Sequence, residues 1–258
     1  MGTPNTDDHI PRISGTLRAH ALRLPETIYK AKGMVVMGRR IKTIIFSTDV
    51  AIIRNCNADA VLAVYPFTPQ QTISQAVINS AMAPVFVGVG GGVTKGVRSA
   101  VIAQDAEAQG AFGVVVNTPM SNSNIRLIRR LIDIPIVATI ADEGEDIQGR
   151  LDAGVSILNV AAGAKTPEVV RQIREEFPKV PIIATGGNSD ESILATIEAG
   201  ANSIVYTPPT TGQIIGEFMS QYRALKTKNP EFNFKTTDTD QDTLRDFLEI
   251  LTGGDTLQ

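Results

Sequence analysis

The sequence contains no tryptophan, and aromatic residues make up only 5% of it. Proteins that stack bases or sugars on aromatic platforms need such residues, so this function class is disfavoured. The core must be filled instead by valine, isoleucine, leucine and alanine. With 43% hydrophobic and 20% charged residues, the composition is that of an ordinary globular protein.

Cysteine and net charge are also scarce. The single Cys56 excludes an internal disulfide and a Cys-x-x-Cys motif, and it fits a reducing compartment. The net charge is only −3, so no broad basic surface is expected to attract nucleic acid. No apolar run approaches the ~18 residues that span a bilayer, and the N-terminal residues lack the pattern of a signal peptide. We therefore expect a cytoplasmic protein with neither nucleic acid nor membrane as a partner.

Histidine is absent from most of the chain. The two histidines, His9 and His20, both lie in the first 39 residues. A zinc site or a Ser-His-Asp triad in the rest of the chain is therefore excluded, unless the N-terminal segment folds over the site.

The middle of the chain alternates short apolar runs with longer stretches of helical periodicity. The runs are apolar on both faces, as buried parallel strands are. Eight such runs are present: Thr43–Ser47, Ala60–Tyr65, Pro84–Gly88, Gly113–Asn117, Pro135–Ile140, Ser156–Val160, Pro181–Thr185 and Ser203–Tyr206. Eight strand–helix units in a row predict an α/β fold of the closed (β/α)8 (TIM) barrel type, the alternative being an open doubly wound sheet.

The barrel is predicted to occupy residues 40–226, between an N-terminal arm (1–39) and a C-terminal tail (227–258). The arm has one helical candidate, Leu24–Lys32, and the tail has an amphipathic one, Thr239–Leu251. Both segments carry apolar residues that are unfavourable in water. We expect them to cover the barrel bottom or to mediate self-association, which predicts a homo-oligomer.

Polar residues at the C-terminal ends of the predicted strands are the candidates for a site, because active sites of this fold lie there. The residues expected to bind substrate are Tyr65, Asn117, Thr185, Gly186, Gly187, Asn188, Tyr206 and Thr207. The residues considered for catalysis are Asp49, Asp142, Glu143, Asn159 and Lys165.

The clearest local motif is Thr185-Gly186-Gly187-Asn188-Ser189, after the seventh strand. Two glycines let backbone N–H groups approach an anion, Ser189 is expected to cap the next helix, and this loop is the usual phosphate cradle of the fold. The alternative is that the glycines only make a tight turn. Pro208 and Pro209, after the eighth strand, provide no N–H donors, so a carboxylate or sulfate is an alternative to phosphate.

The stretch from Asn159 to Thr207, with Phe177–Gly187 at its centre, resembles the 2-keto-3-deoxy-6-phosphogluconate aldolases over about a fifth of the chain. Similar Ile-Ala-x-Gly-Gly phrases occur in flavin- and nucleotide-binding barrels and in the glycerol uptake operon antiterminator. The resemblance implies an aldolase-type barrel with an anion site. In that family a lysine on the sixth strand forms a Schiff base, whereas the sixth strand here, Ser156–Val160, has no lysine.

Four ionisable residues are candidates for the chemistry of the site. Asp142 and Glu143 follow the fifth strand and precede a helix, so they are either ligands for Mg²⁺ or a general base, or acids that complement the helix dipole. Asp49 ends the first strand, and the apolar Val50–Ile53 after it is expected to raise its pKa. Lys165 is either a displaced reactive amine or a solvated loop lysine.

Taken together, these residues predict an enzyme, a lyase or hydrolase, acting on a phosphorylated or carboxylated sugar-acid-like metabolite. Asn117 and Asn159 would orient substrate oxygens, Gly186–Asn188 would bind the anion, and Asp49 or the Asp142–Glu143 pair would transfer protons. No cofactor is expected apart from Mg²⁺ held by these carboxylates. The alternative is a non-catalytic metabolite sensor, similar to the glycerol uptake operon antiterminator, that kept the barrel and lost the chemistry.

Overall fold

The computed structural model describes residues 22–228 of the chain. It divides the chain into two compact units, one of Leu22–Gly216 and one of Met1–Ala21 with Glu217–Gln258. Only 217–228 of the second unit is described, as the last part of a helix. Both histidines and the predicted tail helix lie outside the described residues.

Ten strands and eight α-helices are found within residues 22–228. The strands are β1 (Met34–Val36), β2 (Arg39–Ile41), β3 (Thr43–Phe46), β4 (Ala60–Ala63), β5 (Val85–Gly90), β6 (Gly113–Val116), β7 (Ile136–Ile140), β8 (Ile157–Val160), β9 (Ile182–Ala184) and β10 (Ser203–Tyr206). The helices are α1 (Val50–Arg54), α2 (Gln71–Ser80), α3 (Val97–Ala108), α4 (Asn122–Arg129), α5 (Ile147–Asp152), α6 (Thr166–Glu176), α7 (Asp190–Glu198) and α8 (Thr211–Lys228). Two short 3-10 helices cover Glu26–Lys30 and Gly163–Lys165.

Strands β3 to β10 form a closed parallel barrel in sequence order, with β10 pairing back onto β3. The predicted (β/α)8 barrel is confirmed, and the open doubly wound sheet is excluded. All eight predicted strands are present. The two-sided burial that identified them has a direct cause, since one face of each strand fills the barrel and the other packs against the helices.

The core accordingly has two layers. Ile45, Val61 and Val114 belong to the layer between barrel and helices. The barrel interior is filled by residues that alternate with these along the strands, namely Ile44, Ala60, Leu62, Phe86, Val115, Val137, Ile157, Ile183 and Val205. A filled interior leaves only the two ends of the barrel open to the surroundings.

A β-hairpin covers the N-terminal end of the barrel. Strands β1 and β2 pair antiparallel, with Met34 opposite Ile41. Met34, Val36 and the fully buried Ile41 pack onto the interior cluster. This hairpin was not predicted from the sequence. The helix predicted over Leu24–Lys32 is a shorter 3-10 helix, Glu26–Lys30.

None of the helices between residues 22 and 228 is both long enough and apolar enough to cross a bilayer.

Candidate functional site

The barrel interior changes from apolar to polar at its C-terminal end. Asn117 directly follows β6, Thr139 lies on β7 and Asn159 on β8. Each stands two positions beyond an apolar residue of the interior cluster. Because side chains alternate along a strand, all three face the interior. We call these three residues the polar layer.

Hydrogen bonds connect the polar layer across three strands. The Thr139 hydroxyl donates to Asn117 Oδ1 at 2.8 Å, and Asn159 Nδ2 donates to Thr139 Oγ1 at 3.3 Å. Asn159 is only 5% exposed, and its Oδ1 has no hydrogen-bond partner in the part of the chain that is described. Thr139 was missed from sequence, because a single hydroxyl inside an apolar run carries no signal of function.

A second group of contacts holds the loops beside the polar layer. Glu145 and Arg150 form an ion pair with 3.0 Å between Oε2 and Nη2, and their side chains are only 10% and 13% exposed. The other carboxylate oxygen of Glu145 accepts hydrogen bonds from the Thr118 hydroxyl at 2.8 Å and from the Ala141 N–H at 3.3 Å. Glu145 therefore joins the loops that follow β6 and β7.

The acids considered from sequence, Asp142 and Glu143, lie in the exposed loop before α5. Asp142 Oδ1 accepts from the Gly144 N–H at 2.8 Å. Glu143 Oε1 lies 3.4 Å from Lys165 Nζ, and the Lys165 side chain is 71% exposed. The acid that caps α5 is Asp146, whose side chain accepts from the Gly149 N–H. Glu143 and Lys165 thus form a solvated ion pair at the rim of the mouth.

Asp49 caps α1 and bonds to the start of α8. Its Oδ1 accepts from the N–H groups of Ala51 at 2.9 Å and Ile52 at 3.4 Å, and its Oδ2 accepts from the Thr211 hydroxyl. These bonds, above all the one from Thr211, lower the pKa of Asp49 below its ordinary value. The expectation of a raised pKa is wrong, because the hydrogen bonds to the carboxylate outweigh the desolvation caused by burial.

The two glycines after β9, Gly186 and Gly187, are required by the local backbone whether or not an anion binds there. A Cβ at Gly186 would lie 2.3 Å from Thr196 Oγ1, and Gly187 has a φ of +98°. Asn188 Nδ2 donates to the Thr207 carbonyl at 2.7 Å, which joins the loops after β9 and β10. Ser189 caps α7 as predicted. The anion cradle at this loop stays a prediction.

Thr185 and the two tyrosines are placed differently from one another. The Thr185 carbonyl accepts from the Thr166 hydroxyl at 3.1 Å. Tyr65 lines a cleft of about 280 Å³ that also contains Asn117 and the loop after β5, and its hydroxyl accepts from the Gln70 N–H at 2.7 Å. Tyr206 packs against the core between barrel and helices, so it does not join the polar layer.

The comparisons with known proteins bear on the fold. No family model matches the chain. Over 100 residues, 34% of this chain, the sequence is 27% identical to thiamine-phosphate synthase of Geobacillus thermodenitrificans (strain NG80-2). The match spans 45% of that relative's length.

Solved structures match almost the whole chain. Phosphonopyruvate hydrolase in complex with oxalate and Mg²⁺ has a TM-score of 0.60 at 12% identity, over 92% of this chain and 94% of that one. 2,3-Dimethylmalate lyase, described as a PEP mutase/isocitrate lyase superfamily member, has a TM-score of 0.58 at 13% identity, over 91% of this chain and 94% of that one. Phosphoenolpyruvate phosphomutase of Streptomyces platensis subsp. rosaceus has a TM-score of 0.57 at 14% identity, over 93% of this chain and 96% of that one. The chain shares their fold. The barrel fold that the sequence resemblance implied is confirmed, whereas the resemblance to the 2-keto-3-deoxy-6-phosphogluconate aldolases in particular is not.

One of these enzymes was solved with Mg²⁺, an ion that is held mainly by carboxylate oxygens. Between residues 22 and 228, no three or more His, Cys, Asp or Glu side chains are grouped as metal ligands. Asp49 and Glu145 are bound to protein donors, and the polar layer consists of amides and a hydroxyl. Mg²⁺ also binds through one or two carboxylates together with substrate oxygens and water. Asp142 and Glu143 are the exposed acids that would hold it here, so the predicted Mg²⁺ stays a prediction.

Proposed function

We propose that this protein is an enzyme of the lyase or hydrolase type that binds a small carboxylated or phosphorylated acid at the C-terminal mouth of its barrel. The observation that carries the proposal is the polar layer, in which Asn117, Thr139 and Asn159 face the end of an otherwise apolar interior. Buried polar groups are costly unless they are hydrogen-bonded, so a buried amide without a full set of partners points to a ligand.

The ligand class is supported by the chemistry of the mouth. Amide and hydroxyl groups bind oxygen-rich acids by hydrogen bonds, and the Gly186–Asn188 loop provides backbone N–H groups for an anion. The structural relatives include a hydrolase solved with oxalate and a lyase named for a dimethylmalate. The partial sequence relative is named for a phosphate ester.

Proton transfer is assigned to the rim of the mouth. Asp49 is bound to three donors and its pKa is lowered, which makes it a weaker base. Asp142 and Glu143 are exposed and remain accessible to a ligand. Lys165 is exposed and paired with Glu143, so it lacks the desolvation that Schiff-base lysines need. We therefore propose acid–base chemistry through Asp142 or Glu143, without a Schiff base.

A metabolite sensor is the second candidate, and one observation favours it. Within the described chain, no acidic or basic side chain hydrogen-bonds to the side chains of the polar layer. The layer is thus suited to binding without chemistry. An enzyme converts the bound acid to a product, whereas a sensor only binds it, so a product assay distinguishes the two functions.

The test is a screen of carboxylated and phosphorylated acids by calorimetry, followed by product analysis for every acid that binds. We expect Asn159→Leu to weaken binding at least about tenfold, since it removes a buried hydrogen-bonding group. Asn55→Leu, at the exposed residue that follows α1, is the matched control. Binding without turnover would favour the sensor, and the absence of any binding acid would reject both functions.

The Schiff-base alternative is tested separately with pyruvate and borohydride. We expect mass spectrometry to find no adduct. A trapped adduct on Lys165 would contradict the proposed chemistry.

A further inference from the structure

We infer that the acid bound at the proposed site carries an apolar substituent, and that this substituent lies in the cleft lined by Phe67 and Val93. The inference rests on the proposed function and specifies its substrate class as acids with an alkyl or aryl group. It follows from a gap in the barrel interior and from the residues that line the cleft at that gap.

The cleft lies where the barrel interior lacks a side chain. Gly88 stands two positions beyond Phe86 on β5, and Val64 stands two positions beyond Leu62 of β4. Phe86 and Leu62 belong to the interior cluster, and side chains alternate along a strand, so Gly88 and Val64 also face the interior. A Cβ at Gly88 would lie 3.4 Å from Val64, in ordinary contact. The glycine therefore leaves open, beside Val64, space that a side chain would fill.

The walls of the cleft are apolar. Phe67 and Val93 come from the loops after β4 and β5, and they are 74% and 92% exposed. Within residues 22–228, no residue that lines the cleft is charged. An apolar substituent would remove Phe67 and Val93 from water, which is favourable, whereas a charged group would be desolvated there without a charged partner. The cleft thus suits the apolar part of a ligand, and the acidic group is bound elsewhere in the mouth.

The loop that carries Val93 is held in a fixed position. Gly91 and Thr94 exchange two backbone hydrogen bonds, at 2.9 and 3.2 Å. The Thr94 carbonyl also accepts from the Ser99 hydroxyl at 2.9 Å. A Cβ at Gly91 would lie 2.7 Å from the Asn117 carbonyl, so the loop packs directly against the end of β6. The cleft therefore has a formed wall at Val93 before any ligand binds.

The cleft is continuous with the polar layer, because Asn117 belongs to both. The Tyr65 hydroxyl, also in the lining, accepts from the Gln70 N–H at 2.7 Å and keeps its own proton for donation. The volume of the cleft is about 280 Å³. An apolar cavity of about 150 Å³ holds benzene, so there is room for an aromatic ring or a branched alkyl group. A polar atom next to that group would reach Asn117.

The experiment compares acids that differ only in an apolar substituent. The pairs are lactate and 3-phenyllactate, malate and 3-isopropylmalate, and methyl phosphate and benzyl phosphate, each measured by calorimetry with the full chain. The quantity of interest is the ratio of the two affinities within a pair. We expect the substituted acid to bind at least about tenfold more tightly in the pair that binds, since burial of several carbon atoms favours it.

Two variants test whether the cleft is the origin of this ratio. Phe67→Ala should lower the ratio at least about threefold, because it removes an apolar wall. Gly88→Ala should lower it as well, because the methyl group occupies part of the gap. Met82→Ala is the matched control and should keep the ratio of the wild type. Met82 is 77% exposed and precedes β5, at the opposite end of the barrel.

Each outcome decides a different point. Equal or weaker binding of the substituted acids by the wild type would overturn this inference and leave the proposed function standing. A ratio that is unchanged in both Phe67→Ala and Gly88→Ala would overturn the assignment to the cleft, and loss of self-association in Phe67→Ala by light scattering would then identify a second copy as its occupant. If no acid of any pair binds, the inference falls, and the wider screen decides the proposed function. Should Gly88→Ala fail to fold, Phe67→Ala at an exposed side chain still decides.

Discussion

Arg150 and Glu145 form an ion pair of 3.0 Å that is almost removed from water. Arg150 also donates to Asn122 Oδ1 at 3.2 Å, and Glu145 accepts from the Thr118 hydroxyl at 2.8 Å. Thr118 directly follows Asn117 of the polar layer. The ion pair therefore connects the loops that position the mouth, although the sequence pattern drew attention to the neighbouring acids instead.

Glu145→Gln should destabilise the protein by roughly 3 kcal/mol, because it leaves the buried Arg150 charge without its partner. Glu143→Gln is the matched control, since its pair with Lys165 is exposed and worth less than about 1 kcal/mol. Urea unfolding at neutral pH measures both. Similar losses in the two variants would show that the Glu145 pair is no stronger than a surface pair.

Thr211→Val should lower stability at pH 7 by about 1 kcal/mol through loss of its bond to Asp49. The pKa of Asp49 is lower in the folded chain than in the unfolded chain, so this stabilisation is present above the unfolded value of about 3.9. It is lost as the pH falls through the folded pKa. The difference from wild type should shrink in acid, whereas Thr72→Val at an exposed position should show no such trend.

Gly186→Ala should destabilise the barrel by about 1–3 kcal/mol, because the new Cβ would lie 2.3 Å from Thr196 Oγ1. Adding Thr196→Ala should recover part of the loss by making room. Gly216→Ala is the control, since no atom of residues 22–228 lies within 4 Å of a Cβ there and the helix gains propensity. Thermal unfolding measures the stability of each variant. Equal unfolding temperatures for Gly186→Ala and Gly216→Ala would contradict the close packing at Gly186.

Ile41→Ala should cost about 3 kcal/mol, because Ile41 is fully buried where the hairpin covers the barrel interior. Val35→Ala changes the same hairpin at a side chain that is 71% exposed and should cost less than about 0.5 kcal/mol. Urea unfolding compares them. Equal effects would mean that the hairpin does not seal the barrel.

The barrel strands could be predicted because their signal is local. Runs such as Thr43–Phe46 and Gly113–Val116 are apolar on both faces, and helix starts such as Ser189 carry their capping residue in the same few positions. The hairpin could not be predicted in this way. Its strands have three residues each, which is too short for an alternating pattern to be recognised. In β2, two exposed arginines, Arg39 and Arg40, precede the single buried side chain.

The sequence by itself determined the (β/α)8 fold and the end of the barrel where polar residues gather, because periodicity and strand ends are properties of neighbouring residues. Only the tertiary structure decided which polar groups meet. Thr139 lies 22 residues from Asn117 and 20 from Asn159, and Thr211 lies 162 residues from Asp49. Hydrogen bonds and pKa values depend on such contacts, and these contacts exist only once the barrel has closed.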